Sequence, residues 1–221
     1  MIFSEAILIA DGEPHGGALN MALDEILLHS SGAPVLRCYR WLRPCVSFGY
    51  FGAFEEVSRR WPNWEHVRRW TGGGMVEHGT DFTYTLAVPR DHELTRLNAA
   101  ESYRIIHGAV AVALRRSAGA AVALSGEGVA AKSNACFENP VRNDVLVDGR
   151  KVAGGAQRRM AQGLLHQGSI QLPPGSGEFG AALGEALAEK VVLGQFTAEE
   201  MAEAEKIAKE KYGSEEWMRR Y

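Results

Sequence analysis

Residues 144–170 read DVLVDGRKVAGGAQRRMAQGLLHQGSI, and they are the most informative part of the chain about its architecture. Residues 145–147 form a short β-branched run, and Asp148-Gly149 separates this run from a second one that begins at Lys151. An Asp-Gly pair between two such runs favours a tight hairpin whose two central residues take positive φ angles. The spacing therefore predicts a hairpin with Lys151 near the start of its second strand, and a further strand over 163–170.

Helices and more strands are expected outside this hairpin. Apolar residues recur with helical spacing at about 15–30 and at about 98–116, where Asn98 is a candidate N-cap. Three short β-branched or aromatic runs, bounded by turn residues, lie at 35–39, 45–49 and 82–86. Clustered strands with two long helices predict an α+β fold, built mostly from antiparallel sheets packed against helices.

The composition changes at 173–177, PPGSG, from a glycine-rich region to one rich in alanine and glutamate. We place a boundary there, with a core at 1–173 and a helical C-terminal extension packed on it at 174–221. Within the extension a helix is expected over 181–192. Thr197 and Glu200 form a capping-box pattern that begins a second helix, which ends at Gly213.

Composition and charge exclude several classes of protein. The 221 residues carry 24 basic and 27 acidic side chains, so no excess of positive charge is available to hold a nucleic acid. No apolar run is long enough to span a bilayer, and the N-terminal run lacks the basic flank of a signal peptide. Three widely spaced cysteines do not make a disulfide framework. We therefore expect a cytoplasmic protein that binds neither nucleic acid nor membrane.

The densest group of residues suited to chemistry is RRWTGGGMVEHGTD at 68–81. Gly72, Gly73 and Gly74 allow main-chain N–H groups to approach a phosphate or a carbonyl oxygen, and Arg69 adds a charged donor. Taken alone, a glycine triplet is also typical of a mobile turn or bulge. His78 lies in the same stretch and is a candidate proton carrier or pocket residue.

Lys151 and the small residues after it form a second group, KVAGGAQRR at 151–159. An ammonium flanked by Gly154, Gly155 and Ala156 can reach a bound carboxylate, thioester carbonyl or phosphate and stabilise negative charge there. From spacing alone, a solvated lysine after a hairpin is the commoner outcome. His166, which lies in the next strand, is a further candidate for a proton carrier or pocket residue.

Cys136 is the thiol that we single out as a candidate nucleophile. It lies in the polar, loop-like segment KSNACFENP at 132–140, whereas Cys38 and Cys45 fall in or beside apolar strand candidates. A thiol in a polar loop near cations can ionise and attack, whereas buried cysteines behave as small hydrophobic residues. None of the histidines and cysteines has the spacing of a metal site, so we predict no bound metal.

Four blocks of the sequence, taken together, resemble the biotin/lipoate protein ligases and their octanoyltransferase relatives. The blocks are 20–25, 68–84 with the glycine triplet, 149–159 with Lys151, and 165–170. The resemblance implies an α+β catalytic domain that delivers an octanoyl or lipoyl group to one lysine of a lipoyl domain. The implied acceptors are the lipoyl domains of 2-oxoacid dehydrogenases and the glycine-cleavage H protein.

The resemblance also implies roles for the candidate residues. Lys151 would contact the acyl carbonyl, and Arg69 with the glycine triplet would lie along the acyl or acyl-adenylate channel. We hypothesise that Cys136 attacks an octanoyl thioester and that His78 or Lys151 manages the protons. The expected substrate-binding residues are Arg69, Gly72, Gly73, Gly74, Gly154, Gly155, Ala156 and His166.

Two branches of the family remain open at this point. Octanoyltransferases take the acyl group from acyl carrier protein without a tightly bound cofactor, and one branch uses a cysteine that Cys136, followed by Pro140, resembles. Lipoate-protein ligases use ATP and magnesium to form an acyl-adenylate, and Asn143-Asp144 and the tail at 197–217 resemble that branch. A non-catalytic acyl-binding module is the third reading, because relatives commonly have glutamine where this chain has Gly52.

Overall fold

A computed structural model describes residues 1–30, 32–118, 122–126, 141–171 and 176–221. Within these ranges the chain forms eleven strands and six α-helices. The strands are β1 Phe3–Ala10, β2 Val35–Tyr39, β3 Cys45–Phe48, β4 Glu65–Arg68, β5 Val76–His78, β6 Phe82–Pro89, β7 Val122–Leu124, β8 Val145–Val147, β9 Arg150–Met160, β10 Gly163–Ile170 and β11 Ala188–Leu193. The helices are α1 Gly17–Ser30, α2 Phe54–Arg60, α3 Ala99–Ala118, α4 Ser176–Leu187, α5 Ala198–Ile207 and α6 Glu215–Met218.

The strands form one large and one small sheet. The large sheet has the order β11-β1-β2-β6-β10-β9-β8-β7, and the small sheet has the order β4-β3-β5. The pairs β1–β11, β1–β2 and β3–β4 are parallel, and the other described pairs are antiparallel. The prediction of an α+β fold with mostly antiparallel sheets is confirmed.

The hairpin that joins β8 to β9 forms as the sequence predicts. Asp148 and Gly149 have φ angles of 50° and 77°, and Val147 pairs with Arg150 across the turn. Lys151 is therefore the second residue of β9, and β10 follows as the next antiparallel partner. The local turn chemistry therefore sets how β8 and β9 pair next to the turn.

Helices cover both faces of the large sheet. Ile106, Val110 and Leu114 of α3 are fully buried in the main hydrophobic core, together with residues of α4. Asn98 Oδ1 accepts a hydrogen bond of 2.9 Å from Glu101 N, so the predicted cap of α3 is confirmed. On the opposite face α1 packs against β6 and β10. The small sheet and α1 enclose the space in which the candidate site lies.

The predicted capping box of Thr197 and Glu200 is present at the start of α5, and Gly213 ends the π-helical turn that follows. The helix expected over 181–192 is wrong beyond Leu187, because 188–193 instead form β11 beside β1. This strand satisfies backbone groups of β1 that would otherwise lie at a sheet edge. The proposed boundary at 173 falls in 172–175, outside the described residues, so the division into two parts stays a prediction.

Candidate active site

A largely apolar pocket lies between the large sheet and the small sheet. The space between the two walls is about 440 Å³, and part of it is open to solvent. One wall consists of 154–156 of β9 and 167–169 of β10, and the opposite wall includes Ser47 of β3 and His78 of β5. Met21, Tyr39, Trp41, Arg69, Gly73, Val76 and Thr83 complete the lining.

Glycines determine how close the backbone comes to this pocket. Gly73 has a φ angle of +88°, which disfavours any other residue, and a Cβ there would lie 3.3 Å from Arg69 Nη2. Arg69 Nη2 donates to Gly72 O at 3.0 Å and to Gly74 O at 2.8 Å. The glycine triplet is therefore folded around one guanidinium group, and the mobile turn considered above does not describe it.

Lys151 lies in a buried ion pair beside the pocket wall. Its Nζ is 2.8 Å from Asp144 Oδ2, and the two side chains are 2% and 0% exposed. Tyr103 donates its hydroxyl to Asp144 Oδ1 at 2.6 Å and accepts a hydrogen bond from Gly155 N at 2.9 Å. A Cβ at position 154 would lie only 2.7 Å from Lys151 Cε, so glycine is required there for the amine to reach this position.

His78 is buried and held on three sides. Its Nδ1 lies 2.7 Å from Asp81 Oδ2 and its Nε2 lies 2.6 Å from Ser47 Oγ. The ring stacks on Trp41 with 4.0 Å between centroids. Ser47 Oγ also accepts a hydrogen bond of 2.7 Å from Arg69 Nη1, which connects the histidine to the arginine of the glycine loop.

A second buried polar network supports the pocket from the side of α1. Thr71 donates to Gln167 Oε1, and Gln167 Nε2 donates to Asp24 Oδ2, both at 2.7 Å. Arg37 Nη1 then donates to Asp24 Oδ1 at 2.9 Å. These contacts connect β2, α1 and β10 to the glycine loop, which explains why the block at 20–25 belongs with the site residues.

The structure brings together most of the residues predicted for the site. Arg69, Gly73, His78 and 154–156 line the pocket, and Lys151 adjoins it through Gly154. Gly72 and Gly74 contribute their carbonyl groups to Arg69. Cys136 lies within 127–140, outside the described residues.

His166 lies on the other face of the large sheet. Its neighbour Gln167 lines the pocket, and successive residues of a strand point to opposite faces, so the His166 ring points away from the pocket. Its Nε2 is 3.0 Å from Tyr84 Oη. Burial, and secondarily His107, hold the pKa of His166 well below its ordinary value, so the ring is neutral. It supports β9 from behind, because a Cβ at Gly155 would lie 2.7 Å from the His166 ring.

Sequence reasoning missed Asp144, Tyr103, Ser47 and Asp81 as partners of the predicted residues. The sequence contains a signal for two of them, because Asp144 begins the hairpin and Asp81 follows His78 after a glycine turn. Ser47 and Tyr103 reach the site only through contacts between distant elements, which no local pattern in the sequence indicates.

In the described ranges no cluster of three or more histidine, cysteine, aspartate or glutamate side chains is arranged to bind a metal ion. Among the same residues, no helix combines the length and the apolar character needed to cross a bilayer.

The model of the lipoyl protein ligase A/B catalytic domain family matches residues 17–219. The chain belongs to this family. The match includes both walls of the pocket, the glycine triplet and the Lys151 hairpin. The resemblance drawn from the four sequence blocks is therefore confirmed.

Two relatives in sequence are named as octanoyltransferases. The octanoyltransferase LipM of Oceanobacillus iheyensis is 34% identical over 173 residues, which cover 73% of this chain and 62% of the relative. The octanoyltransferase LipM of Carboxydothermus hydrogenoformans is 39% identical over 164 residues, covering 70% and 60%. The chain thus spans about three fifths of the length of the curated relatives it matches.

Solved structures confirm the fold. A bipartite lipoate protein ligase from Thermoplasma acidophilum superposes with a TM-score of 0.73 at 21% identity, covering 96% of this chain and 95% of that one. A lipoate-protein ligase A bound with ATP gives a TM-score of 0.73 at 22% identity, covering 99% and 98%. At this level of identity the likeness establishes the fold alone.

Proposed function

We propose that the protein transfers an octanoyl group from octanoyl-acyl carrier protein to a specific lysine of a lipoyl domain. The observation that carries this proposal is the apolar pocket whose wall at Gly154 lies against the buried Lys151 ammonium. An apolar channel suits a medium-chain acyl group, and a fixed positive charge at its side suits the carbonyl oxygen of that group. The names of the LipM relatives support the same reaction.

Lys151 polarises the acyl carbonyl in this proposal. Asp144 and Tyr103 hold the amine in one position, so little reorganisation is needed when negative charge develops on the carbonyl oxygen. Main-chain N–H groups around Gly73 stabilise the same carbonyl oxygen from a second direction. His78 takes up the proton that the acceptor amine loses when it attacks.

Cys136 is the nucleophile that we propose for the first half of the reaction. Its thiolate attacks the carbonyl carbon of the donor thioester, the C–S bond to the carrier breaks, and the carrier leaves as its thiolate. Thioester exchange keeps the transfer potential of the acyl group nearly unchanged, and two half-reactions let the two partner proteins dock separately. The lysine amine of the lipoyl domain then attacks the acyl-Cys136 thioester, the acyl C–S bond breaks, and the amide forms as the Cys136 sulfur is released.

The acceptors that we propose are the lipoyl domains of 2-oxoacid dehydrogenases and the glycine-cleavage H protein, and the donor is acyl carrier protein. No tightly bound cofactor takes part in this reaction. We place it in the cytoplasm, where a free thiol stays reduced. We retain 1–173 as the acyl-transferring core and 174–221 as the extension packed on it.

A single assay separates this function from its alternatives. A purified lipoyl domain is incubated with the enzyme and either octanoyl-acyl carrier protein alone or free octanoate with ATP and magnesium, and its mass is measured. We expect modification with the carrier alone. Modification only with ATP would establish an adenylating ligase, and binding of octanoate without modification under either condition would establish a binding module.

Variants at the cysteines and at Lys151 test the mechanism in the same assay. Cys136→Ala is expected to abolish both the octanoyl-enzyme adduct and the transfer. Cys38→Ala is the matched control, because burial raises the pKa of the Cys38 thiol to about 12 and keeps it protonated. Lys151→Met is expected to lower the rate of transfer about 100-fold or more. Full activity in Cys136→Ala would reject the proposed nucleophile.

A further inference from the structure

Ser47, His78 and Asp81 form one hydrogen-bonded chain on the wall of the pocket. Ser47 Oγ lies 2.6 Å from His78 Nε2, and His78 Nδ1 lies 2.7 Å from Asp81 Oδ2. All three residues are buried, and Ser47 and His78 both line the pocket. A serine, an imidazole and a carboxylate in this order are the arrangement that activates a serine hydroxyl for acyl transfer.

The neighbours of these groups determine the direction of each hydrogen bond. Arg69 has no acceptor atom, so its Nη1 donates to Ser47 Oγ. Burial acts to raise the pKa of Asp81, but the charge and hydrogen bond of His78 and further hydrogen bonds hold that pKa below its ordinary value. The Asp81 carboxylate therefore accepts a hydrogen bond from the N–H group at His78 Nδ1. When the His78 ring is neutral and carries its proton on Nδ1, Nε2 is the acceptor and the Ser47 hydroxyl donates to it.

Asp81 is fixed independently of His78. Thr83 Oγ1 donates to its Oδ2 at 3.0 Å and Ser169 Oγ donates at 2.6 Å, while Gly79 N donates to its Oδ1 at 3.2 Å. The carboxylate and the stacked ring are therefore held in place before any substrate binds, as preorganised acyl-transfer centres require.

The strand register places this chain near Lys151. Ser169, which donates to Asp81, pairs directly with Gly154 across β9 and β10. A Cβ at Gly154 would lie 2.9 Å from Lys151 Nζ. Side chains directly opposite in an antiparallel pair are about 5 Å apart, so the ammonium lies behind the part of the pocket wall that is next to Ser169.

We propose that Ser47 is a second acyl acceptor, which takes a medium-chain acyl group from a thioester or activated ester and releases it to water. The proposal rests on the proposed function in one respect, namely that the pocket holds an acyl chain. The charge of Arg69, 2.7 Å from Ser47 Oγ, stabilises the negative charge that this oxygen gains as its proton leaves. The protein thus has a medium-chain thioesterase activity in addition to transfer to a lysine.

The reaction consists of two balanced steps. Ser47 Oγ attacks the carbonyl carbon, its proton moves to His78 Nε2, and the C–S bond breaks as the leaving thiolate takes that proton. The products are an O-acyl ester on Ser47 and a free thiol. A water molecule then attacks the ester and gives a proton to His78 Nε2. That proton passes to Ser47 Oγ as the C–O bond breaks and the fatty acid leaves.

The test uses the full chain carrying Cys136→Ala, incubated with octanoyl-coenzyme A and no lysine acceptor. After acid quenching, the peptide containing Ser47 is analysed by mass spectrometry, before and after treatment with hydroxylamine at neutral pH, which cleaves thioesters and spares oxygen esters. We expect a hydroxylamine-resistant octanoyl adduct on Ser47 and slow release of octanoate. His78→Ala is expected to lower the rate of adduct formation about 100-fold or more.

Substitutions at position 47 make the outcome decisive. Ser47→Ala should lose the adduct, and Ser47→Cys should form one that neutral hydroxylamine removes, which shows that the variant is folded and that the position is reactive. Ser58→Ala, on the surface of α2, is the matched control and should keep the adduct. The proposal would be overturned if neither the Cys136→Ala chain nor its Ser47→Cys form gave an adduct. It would also be overturned if Ser47→Ala kept an undiminished adduct and an undiminished release of octanoate. Transfer to a lipoyl domain is measured in parallel with the wild-type chain, which retains Cys136, so the failure of either proposal is recognised separately.

Discussion

At the scale of single residues, the site depends on where side chains are missing as much as on where they are present. Gly154 leaves the space that the Lys151 amine occupies, and Gly73 adopts a φ angle that brings the triplet around Arg69. The sequence predicted these residues as a group because small residues next to cations form a local pattern. It did not predict that Asp144 would bury the amine, because an ion pair depends on the three-dimensional placement of both charges.

Gly154→Ala tests this requirement for space. The added Cβ would lie 2.7 Å from Lys151 Cε, so the amine must move away from Asp144. A displacement of this kind is expected to lower the rate of octanoyl transfer about 100-fold. Gly108→Ala is the matched control, because no atom lies within 4 Å of the Cβ that it adds. Equal transfer rates for the two variants would show that the position of the amine is unimportant.

The pH dependence of stability reports on the buried histidine behind β9. Burial lowers the pKa of His107 to about 4 from an ordinary value of 6.5. Between these values the unfolded chain binds a proton that the folded chain does not, so the folded state loses stability as the pH falls from about 6.5 to about 4. The loss is up to about 3 kcal/mol.

Urea unfolding of wild type and His107→Gln at about pH 7 and about pH 5 measures this effect. The difference between the two proteins at about pH 7 is the baseline, because His107 is neutral in both states there. We expect the wild type to lose more stability than the variant on acidification. An equal loss of stability in both proteins would show that His107 does not contribute to the pH dependence of folding.

At the scale of elements, turn and cap chemistry could be predicted from the sequence, whereas strand pairing between distant segments could not. The β8–β9 hairpin, the Asn98 cap and the Thr197 capping box each depend on residues within a few positions of one another. The segment at 188–193 has a helical pattern of apolar residues, yet it forms β11 because the edge of β1 offers hydrogen-bond partners. That partner lies almost two hundred residues away in the chain.

The turn of the hairpin can be tested through its backbone strain. Gly149 has a φ angle of +77°, and no atom lies within 4 Å of the position that a Cβ would take, so Gly149→Ala adds strain without a clash. We expect a loss of about 1–2 kcal/mol in the free energy of unfolding, measured with urea. Gly12→Ala, where a Cβ is also unobstructed, is expected to change it by less than about 1 kcal/mol. Equal effects would contradict a strained turn.

At the scale of the whole molecule, the C-terminal segment supports the wall of the pocket. Arg68 is fully buried, and its guanidinium donates to Tyr50 O, Gly52 O, Trp217 O and Met218 O. Tyr50 N in turn donates to Thr71 O, next to the glycine triplet. Arg68 therefore connects α6 directly to the loop at 50–52 and, through Tyr50, to the loop that contains the glycine triplet. The sequence could not indicate this link, because Arg68 and Met218 are 150 residues apart.

Arg68→Lys tests this connection. Lysine keeps the charge but lacks the planar fork of donors, so buried carbonyl groups lose their partners. We expect a loss of about 2–4 kcal/mol in the free energy of unfolding, together with a lower rate of transfer. Arg59→Lys, an exposed position on α2, is the matched control and should leave both quantities near the wild-type values. A similar stability for both variants would contradict the role assigned to Arg68.

The central claim is that the pocket between Gly73 and Gly154 holds the acyl chain with its carbonyl group at Lys151. A crystal structure of the protein with bound octanoate tests this claim most directly. We predict the alkyl chain against Gly73, Gly154 and Ala156, with a carboxylate oxygen within hydrogen-bond distance of Lys151 Nζ. Octanoate bound elsewhere, or bound in the pocket with its carboxylate directed away from Lys151, would contradict the claim.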